Sequence, residues 1–159
     1  MGRQLAKKLH LDFYDSDKVI EARTGASIPL IFELEGEAGF RQREQAVIDE
    51  LTQLPGIVLA TGGGAILREA NRQHLKSRGT VIYLHSDISH LMDRIRHDRN
   101  RPLLQTADPE AKLRELMTQR EPLYREAAHI TINTGDVSIR AAIQAILERL
   151  KNHRQQTQA

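Results

Sequence analysis

Short apolar runs, too brief for a helix, alternate along this chain with longer stretches of helical apolar spacing. Asp12 to Tyr14, Ile57 to Thr61, Thr80 to Leu84 and Ile130 to Thr134 read as strands, rich in branched or aromatic residues. Between them lie helical faces. The first covers residues 2–9 with Leu5 and Leu9 on one side, and a second starts at Ser16, carries Val19 and Ile20, and ends at Gly25. Ser27 and Pro29 open another segment, which Gly36 interrupts before a helix over 38–53 with Phe40, Val47, Ile48, Leu51 and Leu54 toward the core; Pro55 and Gly56 stop it. Further helices are expected over 67–77, from Ile88 through Ile95, from Asp108 and Pro109 through Leu113, Leu116 and Met117, and from Ile139 through Leu150. Strands separated by helices are joined by crossovers rather than hairpins, so the sheet must be parallel. The fold class is therefore α/β, a short parallel sheet covered by helices, with the strand at 57–61 buried on both faces.

One domain accounts for the whole chain, residues 1–159, because no linker or fixed-period repeat divides it. Hydrophobic residues at 40% and charged residues at 28% supply an ordinary core and exclude a disordered chain. No apolar run approaches the roughly 18 residues of a membrane span, and the first residues lack the apolar core of a secretory signal, so a cytoplasmic location is expected. The absence of cysteine excludes disulfides, thiolate metal sites and thiol nucleophiles. No tryptophan and 4% aromatics leave few platforms for stacking bases, which disfavours nucleic acid as a partner. The polar tail from Asn152, 152–159, is expected to fray. The formal charge of +2 is a weak field, but 17 Arg stand against 6 Lys, and guanidinium suits bidentate recognition of carboxylate and phosphate. Small anionic substrates fit that bias, although many of these arginines are ordinary solvated surface.

Chemistry concentrates at a few places. Thr61, Gly62, Gly63 and Gly64 follow a strand directly, where ligands of open α/β sheets collect and where glycines let a ligand approach backbone N–H groups; a tight strand-to-helix turn is the plainer alternative. Asp15 and Asp17 flank Ser16 at a strand end, able to divide metal and proton work or simply to cap the next helix. Arg41 and Glu44, three apart, share a helix face: an exposed pair there is worth a few tenths of a kcal/mol, whereas beside a glycine floor it would hold a guanidinium toward a carboxylate. Arg94, Arg96, Arg99 and Arg101, before Pro102, suit either an exposed basic loop or a lid over phosphates at 96–107. Arg120, before Glu121 and Pro122 at an expected helix end, could point into the same cleft. The histidines have no trusted metal-ligand spacing, and no Ser/His/Asp order or nucleophile elbow is present.

In order and spacing, Phe13-Tyr14-Asp15-Ser16-Asp17, Gly36 with Phe40-Arg41-Gln42-Arg43-Glu44, Thr61-Gly62-Gly63-Gly64, Arg101-Pro102-Leu103-Leu104 and Arg120-Glu121-Pro122-Leu123-Tyr124 closely resemble the shikimate kinase family, nearly end to end. That resemblance implies a P-loop kinase-like three-layer fold with a parallel sheet in the order 2-3-1-4-5, and transfer of the γ-phosphoryl of ATP to the 3-hydroxyl of shikimate. It implies Asp17 as the base on that hydroxyl and Asp15 as a Mg²⁺ contact through water. Shikimate would be bound by Arg41, Arg120 and the backbone of Gly63 and Gly64, with Glu44 bracing Arg41. Arg101 would neutralise the transferring phosphoryl group, and Arg94 would lie against the adenine. The small molecules shikimate and ATP are the implied partners of a monomer without nucleic acid or membrane contacts.

The chain departs from the pattern in one respect. It contains no Gly-x-x-x-x-Gly-Lys-Ser/Thr, the segment whose N–H groups, lysine and hydroxyl cradle phosphates and Mg²⁺, and Met1 falls inside the helix that follows that loop in the family. The first family strand is then missing from the middle of the sheet, and a gap is expected between the strands at 57–61 and 80–84. Phosphoryl transfer by this length of chain is expected to be impaired, as for a polypeptide whose start is lost or miscalled. The alternative is a non-catalytic remnant that binds shikimate or a partner, and a third reading is a related small-molecule kinase such as a gluconate kinase.

Overall fold

A computed structural model describes residues 1–95 and 108–158. The elements are α1 (Gly2–Leu9), β1 (Asp12–Asp15), α2 (Ser16–Thr24), α3 (Ile28–Leu51), β2 (Ile57–Ala60), a 3₁₀ turn (Gly63–Leu67), α4 (Glu69–Arg78), β3 (Ile82–His85), α5 (Ile88–Ile95), α6 (Pro109–Ala127), β4 (Ile130–Asn133) and α7 (Ile139–Gln158). Local chemistry sets most boundaries. Asp15 caps α2 by accepting from the N–H groups of Asp17 at 2.9 Å and Lys18 at 3.3 Å, and Gly25 ends that helix in the left-handed region at φ 71°. Ser27 caps α3 through the Leu30 N–H, and Asp108 caps α6 through the Ala111 N–H. Gly36, at φ 72° and ψ 179°, breaks α3 into two helical pieces. The second piece carries Arg41 and Glu44.

The strands are parallel, as their helical crossovers require. β1 pairs with β2 from Asp12↔Ile57 to Asp15↔Ala60, and β3 pairs with β4 from Ile82↔Ile130 to His85↔Asn133. The two pairs are separate sheets, and among the described residues β2 and β3 share no ladder. The break expected between these strands is thus present. It corrects one expectation: β2 is half-buried along its whole length rather than covered on both faces, because among the described residues no strand pairs with one of its edges. For the same reason Leu84 in β3 remains 39% exposed.

Two apolar clusters hold the layers together. Ile20, Ile28, Ile31, Phe40, Val47 and Leu51 join α2 and α3 against Tyr14 and Leu59 of the first sheet. Leu5, Ile130, Ile132, Ile143, Ile146 and Leu150 join α1, β4 and α7, with Val58 of β2 and Ile82 of β3 packed alongside. Side chains from α1 therefore bridge the two sheets where backbone pairing does not. Leu54, expected in the core, lies beyond the end of α3 and is 40% exposed.

Three further expectations are revised. The glycine run does not pass directly into a helix at 67; a 3₁₀ turn over Gly63–Leu67 comes first, and α4 starts at Glu69. Arg120 is not at a helix end, since α6 continues through Pro122 to Ala127. Proline removes one helical hydrogen bond there, yet the buried Leu113, Arg120 and Ala127 on both sides of it hold the helix in one piece. The segment from Asn152 continues α7 as far as Gln158; its Arg and Gln residues are good helix formers and no Gly or Pro interrupts them.

Candidate active site

Parallel pairing of β1 with β2 brings Asp15 level with Ala60, so α2 starts beside the glycine run. Each of the three consecutive glycines then faces a different charged side chain. A methyl group on Gly62 would stand 3.1 Å from Oδ2 of Asp17. On Gly63 it would stand 3.4 Å from Nη1 of Arg120 and 3.1 Å from the hydroxyl of Tyr124. On Gly64 it would lie 2.5 Å from Nη1 of Arg41, and closer still to the rest of that guanidinium. The floor is glycine because side chains from α2, α3 and α6 occupy the space a Cβ would fill. Close approach of these side chains, rather than a bare turn, explains three in succession.

Arg41 and Glu44 form a buried pair, not the exposed one that their spacing equally allowed. Nη1 of Arg41 donates to Oε1 of Glu44 at 2.9 Å; Glu44 is fully buried, and Arg41 is 7% exposed. Burial pushes the Glu44 carboxyl above its usual range, against the pull of Arg41 and, more weakly, of Arg120; the charge of Asp17 adds to the upward push. Four charged groups from three helices thus act on one another at this floor. The Arg120 side chain, in a residue only 9% exposed, makes no hydrogen bond to another described residue, and its Nε is buried without a partner among them. A buried guanidinium without an acceptor among the described residues is costly in isolation, and an anionic ligand would satisfy it.

Asp15 caps α2, as the plainer of its two readings held, and it stands at the strand end beside Asp17. Among the described residues no group of three His, Asp or Glu side chains could hold a metal ion. Such a donor set fits a cation held largely by water and phosphate, the usual manner of Mg²⁺, with Asp15 and Asp17 the carboxylates at this strand end. Arg94 falls on α5, but its side chain lies outside the described residues, as do Arg101 and the expected lid at 96–107. Two contributors escaped the sequence reading. Glu37 reaches Nη2 of Arg41 at 3.5 Å, and Tyr124 donates its hydroxyl to the Gly63 carbonyl at 2.6 Å. Spacing held the signal for both: each stands four residues from its arginine, on the same helix face.

Parallel strands ending on a glycine floor, with guanidinium groups gathered over it, define an α/β protein with a site for a small anion, and solved structures of the P-loop kinase fold superimpose on the chain. A shikimate kinase from Acinetobacter baumannii in complex with shikimate does so with a TM-score of 0.92 at 52% identity, over 95% of this chain and 84% of that one. A shikimate kinase from Aquifex aeolicus does so with a TM-score of 0.83 at 32% identity, over 96% of this chain and 89% of that one. The family model described as shikimate kinase matches residues 1–151. Among curated relatives, the shikimate kinase of Thiobacillus denitrificans is 59% identical over 94% of this chain and 82% of its own length, and that of Pseudomonas aeruginosa is 54% identical over 95% and 88%. The chain belongs to the shikimate kinase family, phosphotransferases of aromatic amino acid biosynthesis with ATP as co-substrate. No helix among the described residues is long and apolar enough to cross a membrane.

Proposed function

We propose that this site binds shikimate for phosphorylation of its 3-hydroxyl by the γ-phosphoryl group of ATP. The observation that carries the reading is the convergence of Asp17, Arg120 and Arg41 on Gly62, Gly63 and Gly64. In it, Arg41 and Arg120 bind the carboxylate of the acid, with the backbone at Gly63 and Gly64 as the floor. Glu44 keeps Arg41 aimed. Asp17 holds the hydroxyl and accepts its proton, which places a carboxylate at one end of the substrate and guanidinium groups at the other. Fixed charges of this kind suit phosphoryl transfer, whose loose transition state asks for position and neutralisation more than covalent help. Mg²⁺, when bound, would screen the phosphate charge, with Asp15 contacting it through water. Arg101 would neutralise the transferred group, and Arg94 would lie against the adenine. The unit is a single monomeric domain acting in the cytoplasm.

The 159-residue chain contains no Gly-x-x-x-x-Gly-Lys-Ser/Thr, so its turnover is expected to be weak while acid binding persists. Binding without turnover is the second reading, and that same absence favours it. Calorimetric titration of the purified chain with shikimate and with ATP, together with a coupled turnover assay, tests both. Shikimate binding that falls about 10- to 100-fold in Arg120→Met, the worth of a hydrogen-bonded charge, is the expected result. A wild-type chain that binds no shikimate would overturn the site; robust turnover would overturn the expected impairment.

A further inference from the structure

Arg120 has no acceptor of its own among the described residues, yet its direction decides whether a carboxylate can be held. Tyr124, one turn further along α6, shares its face, and both side chains arrive at Gly63. The Tyr124 hydroxyl donates to the Gly63 carbonyl at 2.6 Å, a tie between helix and floor separated by 61 residues of sequence. From behind, the Tyr124 ring stacks on Tyr83 of β3, centroids 4.9 Å apart and planes 26° from parallel. The Tyr83 hydroxyl in turn donates to Glu121, whose other oxygen accepts from Nε of Arg125 at 2.7 Å. Burial and the Glu121 carboxylate both raise the Tyr83 phenol well above its usual range, so it stays a neutral donor at any working pH.

From these contacts we infer that Tyr124 is a positioning residue: wedged between Tyr83 and the Gly63 carbonyl, it fixes the turn of α6 that aims Arg120 at the substrate carboxylate. Resting on the proposed shikimate site, the inference assigns Tyr124 a role in specificity for an acid over its neutral analogue. Without the hydroxyl, the turn would be held to the floor by packing alone, and a rotation of the helix would carry the guanidinium away from the carboxylate. Phenylalanine keeps the ring and the stack, so Tyr124→Phe takes away the hydroxyl and with it the tie to the Gly63 carbonyl.

The test is titration of the full chain and of Tyr124→Phe with shikimate and with shikimate methyl ester, whose carboxyl bears no charge. Wild type should prefer the acid, and the variant should lose roughly three- to tenfold of its affinity for the acid, the worth of one buried hydrogen bond, with little loss for the ester. Equal losses for both ligands would mark a merely structural role, and an unchanged affinity for the acid would remove any role; either overturns the inference. A wild type that binds the acid no better than the ester would overturn the shikimate reading itself, a result separable from the variant's behaviour.

Discussion

Replacing Gly64 by alanine tests how tightly the floor is built. The added Cβ would stand 2.5 Å from Nη1 of Arg41, whereas ordinary contact begins at 3.4 Å, so the guanidinium must retreat by nearly an ångström at the least. Arg41 cannot retreat freely. It is 7% exposed and bonded to Glu44 at 2.9 Å, and Glu44 is fully buried. Breaking a buried pair outright costs about 3–5 kcal/mol; because the charge stays nearby, about 1–2 kcal/mol of stability should be lost, or about 2–8 °C in melting temperature for a domain this size. Displacing a binding group by an ångström costs about 100-fold where geometry is critical, so shikimate affinity should fall about 10- to 100-fold. Calorimetry and a thermal melt read the two quantities. Gly79→Ala is the control, since its nearest contact would be the Leu75 carbonyl at 3.9 Å and its φ of −161° is ordinary extended backbone. Should Gly64→Ala bind shikimate within threefold of wild type and melt at the same temperature, the account of a guanidinium resting on this glycine is wrong.

Gly36→Ala meets no neighbouring atom, yet φ 72° with ψ 179° is a conformation that alanine enters at a cost of about 1–3 kcal/mol. The variant should melt several degrees lower and bind shikimate more weakly, because the following piece of α3 carries Arg41 and Glu44; an unchanged melt would show that the break in α3 is unstrained for any residue. His90 stands between Asp87 at 2.6 Å and Asp136 at 2.9 Å, clasping the loops after β3 and β4, and the hydrogen bond to Asp87 leads the effects that raise its pKa above 6.5. A raised histidine contributes stability that is fully present below pH 6.5 and is lost as pH rises through its folded value. The melting-temperature gap between wild type and His90→Gln should therefore narrow from pH 6 to pH 9, and a gap independent of pH would refute the clasp.

Much of this architecture was legible because its signals are local. Strand-sized runs, Pro29 and Pro109 in first turns, and the stop at Gly25 are decided by backbone sterics over a few residues, and those elements fall close to where the signals place them, although α3 already ends at Leu51, ahead of Pro55 and Gly56. Motif order was equally visible: Asp15, Asp17, Arg41, Glu44, the glycine run and Arg120 are read directly from the chain. Burial was not. The three-residue spacing of Arg41 and Glu44 serves an exposed pair and a buried one alike, and only the packing of α3 against the floor decides for the buried one. Nor could sequence tell that α6 runs on through Pro122, since proline disfavours a helix locally and contacts along both flanks outweigh it. Separation in the chain explains the rest. The tie from Tyr124 to Gly63 joins residues 61 apart, and the half-burial of β2 depends on which strands lie beside it. Local sterics and patterning thus named the elements and the candidate side chains from sequence alone; which of those side chains are buried together, and with what charge, was decided by tertiary packing, because desolvation and electrostatic coupling depend on distance in space and not along the chain.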